Sequence, residues 1–73
     1  MNARIIRLAR ANGVLDELRR YEIEKRIAEK YTMGQEFRLF AEKAEKPDAW
    51  QEHEAYVAAI KAAVDAEIEG VEK

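Results

Sequence analysis

The segment from Pro47 to Gly70 constrains the fold most, because it predicts one helix long enough to span a small domain. Asp48 can cap its first turn, and Gln51, three residues later, completes a capping-box pattern. Behind this cap, an apolar stripe recurs at intervals of three and four residues: Trp50, His53, Val57, Ile60, Val64, Ile68 and Val71. Gly70 predicts the end of the helix. A helix over 49–69 is about 30 Å long, so we expect the rest of the chain to pack along it.

The size of the chain limits what that helix can be part of. Seventy-three residues, 13 of them alanine, predict a single domain over 1–73 with a narrow core, which self-association would extend. The chain has no cysteine, which excludes a disulfide framework and a thiolate metal site. We find neither an apolar run of about 18 residues nor the apolar core of a signal peptide, so we expect no membrane span. A cytoplasmic location fits best.

Local signals divide the first 46 residues into three further helices. A cap at Asn2, a turn at Asn12-Gly13 and a capping box of Thr32 with Gln35 mark their starts and ends. The short connection before Pro47 favours an antiparallel hairpin with the long helix. We therefore predict an all-α fold, a small antiparallel bundle of three main helices preceded by a short N-terminal helix, with bounds 3–11, 14–31, 33–46 and 49–69.

The third helix has a clear apolar face. Met33, Phe37 and Phe40 fall on one side, which we expect to face the core and to meet Trp50 and Val57. Leu39 points elsewhere and is expected to be exposed.

The second helix is apolar on two sides. Val14, Leu18, Tyr21 and Ala28 cluster on one side, and Ile23, Ile27 and Tyr31 nearly opposite. Such a helix contacts two neighbours, or one neighbour and another subunit. We expect Ile23, Ile27 and Tyr31 to form an interaction surface of a homo-oligomer, with an electrostatic rim from the basic stripe of Arg4, Arg7 and Arg10.

Charge is unevenly distributed along the chain. Residues 1–31 carry eight Lys/Arg against five Asp/Glu, and residues 32–73 carry five against ten. This asymmetry indicates either a partner or two halves that attract each other. The net charge of −2 argues against indiscriminate binding of polyanions.

The residues needed for catalysis or metal binding are missing or poorly placed. The chain has neither serine nor cysteine, and its only threonine, Thr32, is explained as a cap. His53 is the only histidine, has no second ligand at metal-binding spacing, and is predicted to lie at the edge of the core. We therefore expect no enzymatic activity, no cofactor and no metal site.

One segment resembles a DNA-binding motif. Leu8-Ala9-Arg10, Gly13-Val14 and Leu18-Arg19-Arg20-Tyr21-Glu22 resemble, over residues 5–22, the helix-turn-helix of MerR-type and excisionase-like regulators. The resemblance implies that Arg19, Arg20 and Tyr21 lie on the DNA-facing helix. Because the chain is acidic overall and no β-wing follows, a DNA-binding regulator is the alternative hypothesis.

A second resemblance starts at Tyr31. The run 31–36, together with Trp50, residues 54–57 and Lys61, resembles the C-terminal half of small helical proteins encoded by tailed bacteriophages and prophages. It implies a virion accessory component or a small protein that binds a host or phage protein, located in the cytoplasm or the virion. Our leading hypothesis is therefore a non-enzymatic interaction protein that binds a protein partner or itself.

Overall fold

Four helices form the chain in the computed structural model, which describes residues 1–72. The helices are α1 (Ala3–Ala11), α2 (Leu15–Ala28), α3 (Met33–Ala41) and α4 (Pro47–Glu69). The all-α prediction is confirmed, and the bounds of α1 are those predicted. Helices α2 and α3 end earlier than the predicted 31 and 46, and α4 starts two residues before the predicted 49. Lys73 of the predicted domain lies outside the described residues.

Two of the three predicted N-terminal caps are confirmed. Asn2 Oδ1 accepts a hydrogen bond from the Arg4 backbone N–H at 2.7 Å, and Thr32 and Gln35 form a reciprocal capping box. The capping role predicted for Asp48 is wrong, because Asp48 lies inside α4, whose first residue is Pro47. Proline suits the first helical position, since its fixed φ matches the helix and its missing N–H would have no partner there.

The predicted turn at Asn12-Gly13 is a Schellman motif that separates α1 from α2. The Val14 N–H donates to the Ala9 carbonyl at 2.9 Å, and the Gly13 N–H donates to the Arg10 carbonyl at 3.3 Å. Gly13 has φ of +71°, a left-handed conformation that glycine adopts without strain.

The core lies where α1 and α2 pack on the second half of α4. Helices α2 and α4 run antiparallel: Arg19, early in α2, pairs with Asp65, whereas Tyr31, just past α2, contacts His53 and Tyr56. Ile6 and Val64 are fully buried, together with the nearly buried Ile23, Ile60 and Ile68. The apolar stripe predicted for α4 therefore faces the core. The molecule is elongated, measuring 46 × 19 × 17 Å.

The prediction for the face of α3 is wrong. Met33, Phe37 and Phe40 point to solvent, with 87%, 74% and 56% of their surface exposed. The opposite side of α3 rests on α4, where Leu39 is half-buried and Glu36 bonds to His53. Phe40 still reaches Trp50, with ring centroids 5.9 Å apart in an edge-to-face arrangement. The helix is thus rotated so that its apolar stripe stays uncovered.

Within residues 1–72, no helix combines the length and the apolar composition needed to cross a bilayer.

Candidate interaction surfaces

The α2 side on which we placed self-association faces α4 instead of solvent. Ile23 is only 6% exposed and belongs to the core, and Ile27 is half-buried against that core. Tyr31 is half-buried, and its ring lies edge-on to His53 at 4.8 Å between centroids. The prediction that Ile23 is available to another subunit is therefore wrong, because α4 already covers this side.

The basic stripe of α1 is divided between two roles. Arg4 and Arg7 are exposed. The Arg10 guanidinium, by contrast, donates hydrogen bonds to the carbonyls of Val71 at 2.7 Å and Ile68 at 3.1 Å, the C-terminal end of α4. Ile68 lies in the last turn of α4 and Val71 just beyond it, where carbonyls lack the i+4 partner of the helix interior, so Arg10 caps this end of α4.

Tyr31, at one end of the predicted apolar surface, lies far from the predicted basic rim. Arg10 contacts α4 near Ile68, whereas Tyr31 contacts it at His53. Fifteen helical residues separate these two positions, which corresponds to roughly 20 Å. The structure therefore does not join Tyr31 and the arginines into one surface.

The other apolar side of α2 is only partly covered. Together with α1 it lines an open groove of about 510 Å³, which we call the α1–α2 groove. Its apolar side chains are Ile5, Leu8, Val14, Leu18 and Tyr21. Tyr21 is 63% exposed, and Ile5, Leu8 and Val14 are each about half exposed. The two-sided pattern of α2 contained the signal for this groove, but the pattern did not say which side α4 would cover.

A second exposed apolar surface lies on α3. Met33, Phe37 and Phe40 project from one side of the helix, and the exposed small residues Gly34 and Ala41 lie beside them. We call these five residues the α3 face. Lys43 borders it, with its Nζ 4.5 Å from the Phe40 ring centroid. The sequence pattern identified the stripe, but its exposure depends on how α3 is rotated against α4.

Ion pairs between the basic first half and the acidic second half hold α2 on α4. The Arg19 guanidinium binds Asp65 through two hydrogen bonds, of 2.5 and 3.1 Å. Arg26 binds Glu67 through two more, of 2.6 and 2.9 Å, and also binds Glu22 at 3.0 Å. The charge asymmetry of the sequence is thus satisfied in part within the molecule. The Glu22–Arg26 pair has the i,i+4 spacing of neighbours on one helix, whereas the pairs across helices join residues 46 and 41 positions apart, which no local spacing indicates.

These pairs shift the ionisation of their members. Hydrogen bonds from Arg26, and then from the amino group of Met1, lower the pKa of Glu67 to about 2. The hydrogen bond from Arg19 likewise lowers the pKa of Asp65. A carboxylate that accepts charge-assisted hydrogen bonds is stabilised in its ionised form. Both acids therefore act as fixed negative charges on α4 that hold α2 in place.

His53 is a buried residue at the edge of the core, as predicted. Its Nε2 lies 2.8 Å from Glu36 Oε2, and its ring stacks on Trp50 at 5.2 Å between centroids. The Tyr31 ring covers another side. His53 thus ties α3 and the end of α2 to α4. Glu36 was not identified as its partner from the sequence, since the two residues lie 17 positions apart.

The residues implied by the helix-turn-helix resemblance do not form one free surface. Arg19 is held by Asp65, whereas Arg20 and Tyr21 are exposed. Tyr21 instead belongs to the apolar α1–α2 groove.

Among the residues that the structure describes, we find no cluster of three or more His, Cys, Asp or Glu side chains placed to hold a metal ion. In comparisons with known proteins, no family model, curated protein or solved structure matches the chain.

Proposed function

We propose that the chain is a non-enzymatic interaction protein that binds a partner protein through the α1–α2 groove. The proposal depends mainly on the groove itself, an apolar surface that α1 and α2 form together and that is open to solvent. The phage and prophage resemblance extends the proposal to a virion accessory component, or to a cytoplasmic binder of a host or phage protein.

The area of the groove supports a binding role. Its four most exposed side chains, Ile5, Leu8, Val14 and Tyr21, leave roughly 400 Å² of side-chain surface in water, taking about 150–200 Å² for each fully exposed side chain. The largest apolar patch on a typical monomer covers about 300–600 Å² and is often functional. A groove between two helices also suits an amphipathic helix, which inserts side chains at positions i, i+3, i+4 and i+7.

The charge around the groove supports an acidic partner. Helix α1 contains three arginines and no acid. Arg10 is engaged at the end of α4, and Arg4 and Arg7 are the exposed basic residues of α1. Glu17 is the acidic residue among those that line the groove. We therefore propose an amphipathic helix with acidic residues on the flank that meets α1, since complementary charge fixes orientation and speeds association.

Site-specific crosslinking in cells that carry the gene tests this proposal. A photo-crosslinking amino acid in place of Leu8 should capture a partner protein, whereas the same amino acid in place of Ala59, exposed on α4, should not. The captured protein, once purified, should bind the wild-type chain in a calorimetric titration. Tyr21→Glu should weaken that binding at least about tenfold by placing a charge in the groove.

Two results would contradict the proposal. Equal crosslinking from positions 8 and 59 would mean that the groove is not the binding surface. Salt-dependent binding of duplex DNA that Arg19→Ala with Arg20→Ala abolishes would replace the proposal with the regulator hypothesis. The structure favours the protein partner between these two, because Arg19 is paired with Asp65.

A further inference from the structure

We infer that α3 has two positions on α4: the bond between Glu36 and His53 holds the observed one, and without that bond α3 turns its apolar face onto α4. The starting observation is a conflict between the sequence and the structure of one short helix. Met33, Phe37 and Phe40 have the spacing of a face that packs on a neighbour, yet each of them is more than half exposed. Conflicts of this kind are expected at strained or functional positions. The inference concerns α3 and α4 and is separate from the α1–α2 groove.

Few contacts hold α3 in its observed position. None of its nine residues is buried, whereas α1 and α2 each contribute a buried isoleucine to the core. Glu36 Oε2 lies 2.8 Å from His53 Nε2, and the Phe40 ring meets Trp50 edge-on. A segment with few buried apolar contacts can leave its place at a lower free-energy cost than the core. Helix α3 can therefore move while the rest of the chain stays folded.

Helix α4 has an uncovered, mainly apolar hollow of about 350 Å³ beside α3, which we call the α4 hollow. Its lining residues are Trp50, His53, Glu54, Val57, Ala58 and Lys61. The first four stand at positions i, i+3, i+4 and i+7, which form a socket for one large side chain of a facing helix. Glu36 lies level with His53 and Phe40 with Trp50, so Phe37 lies level with this socket. The α3 face and the α4 hollow are thus adjacent and complementary.

A turn of α3 about its own axis exchanges one set of contacts for the other. Consecutive helical residues are about 100° apart, so a turn of about 100° puts Phe37 where Glu36 now lies. The turned position buries the apolar side chains of the α3 face. It also takes the Glu36 carboxylate away from the buried His53, and leaving a buried polar atom unpaired is costly. These opposing contributions make α3 bistable, and the Glu36–His53 bond acts as a latch that keeps the α3 face exposed.

Nuclear Overhauser spectroscopy of the purified chain tests the inference. Glu36→Ala removes the latch and keeps a strong helix former in α3. This variant should show cross-peaks between the Phe37 ring and the Val57 methyl groups, which the wild type should lack because its Phe37 points to solvent. His53→Leu removes the same bond from the α4 side and should give the same cross-peaks. Arg38→Ala is the matched control, since Arg38 is exposed on α3 and its loss should leave the wild-type spectrum.

A double-mutant cycle measures the same change through stability. In the wild type, Phe37→Ala should change the ratio of folded to unfolded chain by less than about threefold, because the side chain lies in solvent. In the Glu36→Ala background it should lower that ratio at least about tenfold, because it empties the socket. Equal effects in the two backgrounds would overturn the inference.

Two spectroscopic results would also overturn it. One is a Glu36→Ala variant in which α3 stays helical but Phe37 has no cross-peak to Val57. The other is loss of the α3 helix in both Glu36→Ala and His53→Leu, since α3 would then have no second position on α4.

Discussion

Replacing Glu67 by glutamine should destabilise the folded chain in a pH-dependent manner. Glu67 accepts two hydrogen bonds from Arg26 and contacts the amino group of Met1, so it links α4 both to α2 and to the start of α1. Glutamine keeps the size and one acceptor oxygen but removes the charge. The change therefore tests the ion pair with little effect on packing.

The pKa of Glu67 sets the expected magnitude. A lowering from 4.5 to about 2 would correspond to about 3 kcal/mol for a carboxylate shielded from water. One third of the Glu67 side chain is exposed, and solvent screening reduces the contribution of such a pair. We therefore expect Glu67→Gln to lower the free energy of unfolding by about 1 kcal/mol at neutral pH.

The pH dependence follows from the direction of the shift. Because folding lowers the pKa, the ionised carboxylate stabilises the folded state fully above about pH 4.5, and this stabilisation is lost as the pH falls towards about 2. Urea denaturation followed by circular dichroism should thus show a difference between wild type and Glu67→Gln at neutral pH that disappears near pH 2.

Glu69→Gln is the control for this experiment, because Glu69 is exposed on the same helix and its substitution should change stability by less than about 0.5 kcal/mol. The argument fails if the two variants are equally stable at neutral pH. It also fails if the effect of Glu67→Gln persists unchanged below about pH 2, since the wild-type carboxyl group is then neutral as well.

Three further substitutions test the fold. Val64→Ala should lower the free energy of unfolding measured by urea denaturation by about 2 kcal/mol, because Val64 is fully buried and alanine leaves a cavity. Val57→Ala, at a half-buried position, should lower it by less. Gly13→Ala should lower the free energy of unfolding by about 1 kcal/mol or more. The added Cβ would have open space around it, but alanine is strained at φ of +71°. The control Gly34→Ala, within α3, should not destabilise the chain. Thr32→Ala should remove the capping box and lower the free energy of unfolding by about 1 kcal/mol. Relative to the wild type, amide hydrogen exchange should accelerate more in α3 than in α4. Equal acceleration in both helices would contradict a local role of Thr32.

Local sequence signals predicted the helices well but not the sides by which they pack. Asn2, Thr32 and the turn at Gly13 act through hydrogen bonds to residues within five positions, so their effect can be deduced from the sequence. The apolar stripe of α4 is long and regular, so the side of α4 that carries it is expected to face the core. The sequence therefore predicted the starts of α1 and α3 and the inner face of α4.

The orientations of α2 and α3 depend on contacts between distant residues. On α2, either apolar side could pack on α4. With the Ile23 side inwards, Ile23 joins the core, Arg19 pairs with Asp65 and Arg26 pairs with Glu67. On α3, the bond from Glu36 to His53 fixes the rotation that leaves Phe37 in solvent. No local sequence pattern determines which side of α2 or of α3 packs on α4. For this reason the sequence did not show that the side of α2 with Ile23 and Ile27 faces α4.

The two exposed surfaces lie towards opposite ends of an elongated molecule. Helix α1 is tied to the C-terminal end of α4 by Arg10, and α3 rests on the N-terminal half of α4 at His53. The α1–α2 groove and the α3 face share no residue, so a substitution in one of them leaves the side chains of the other in place.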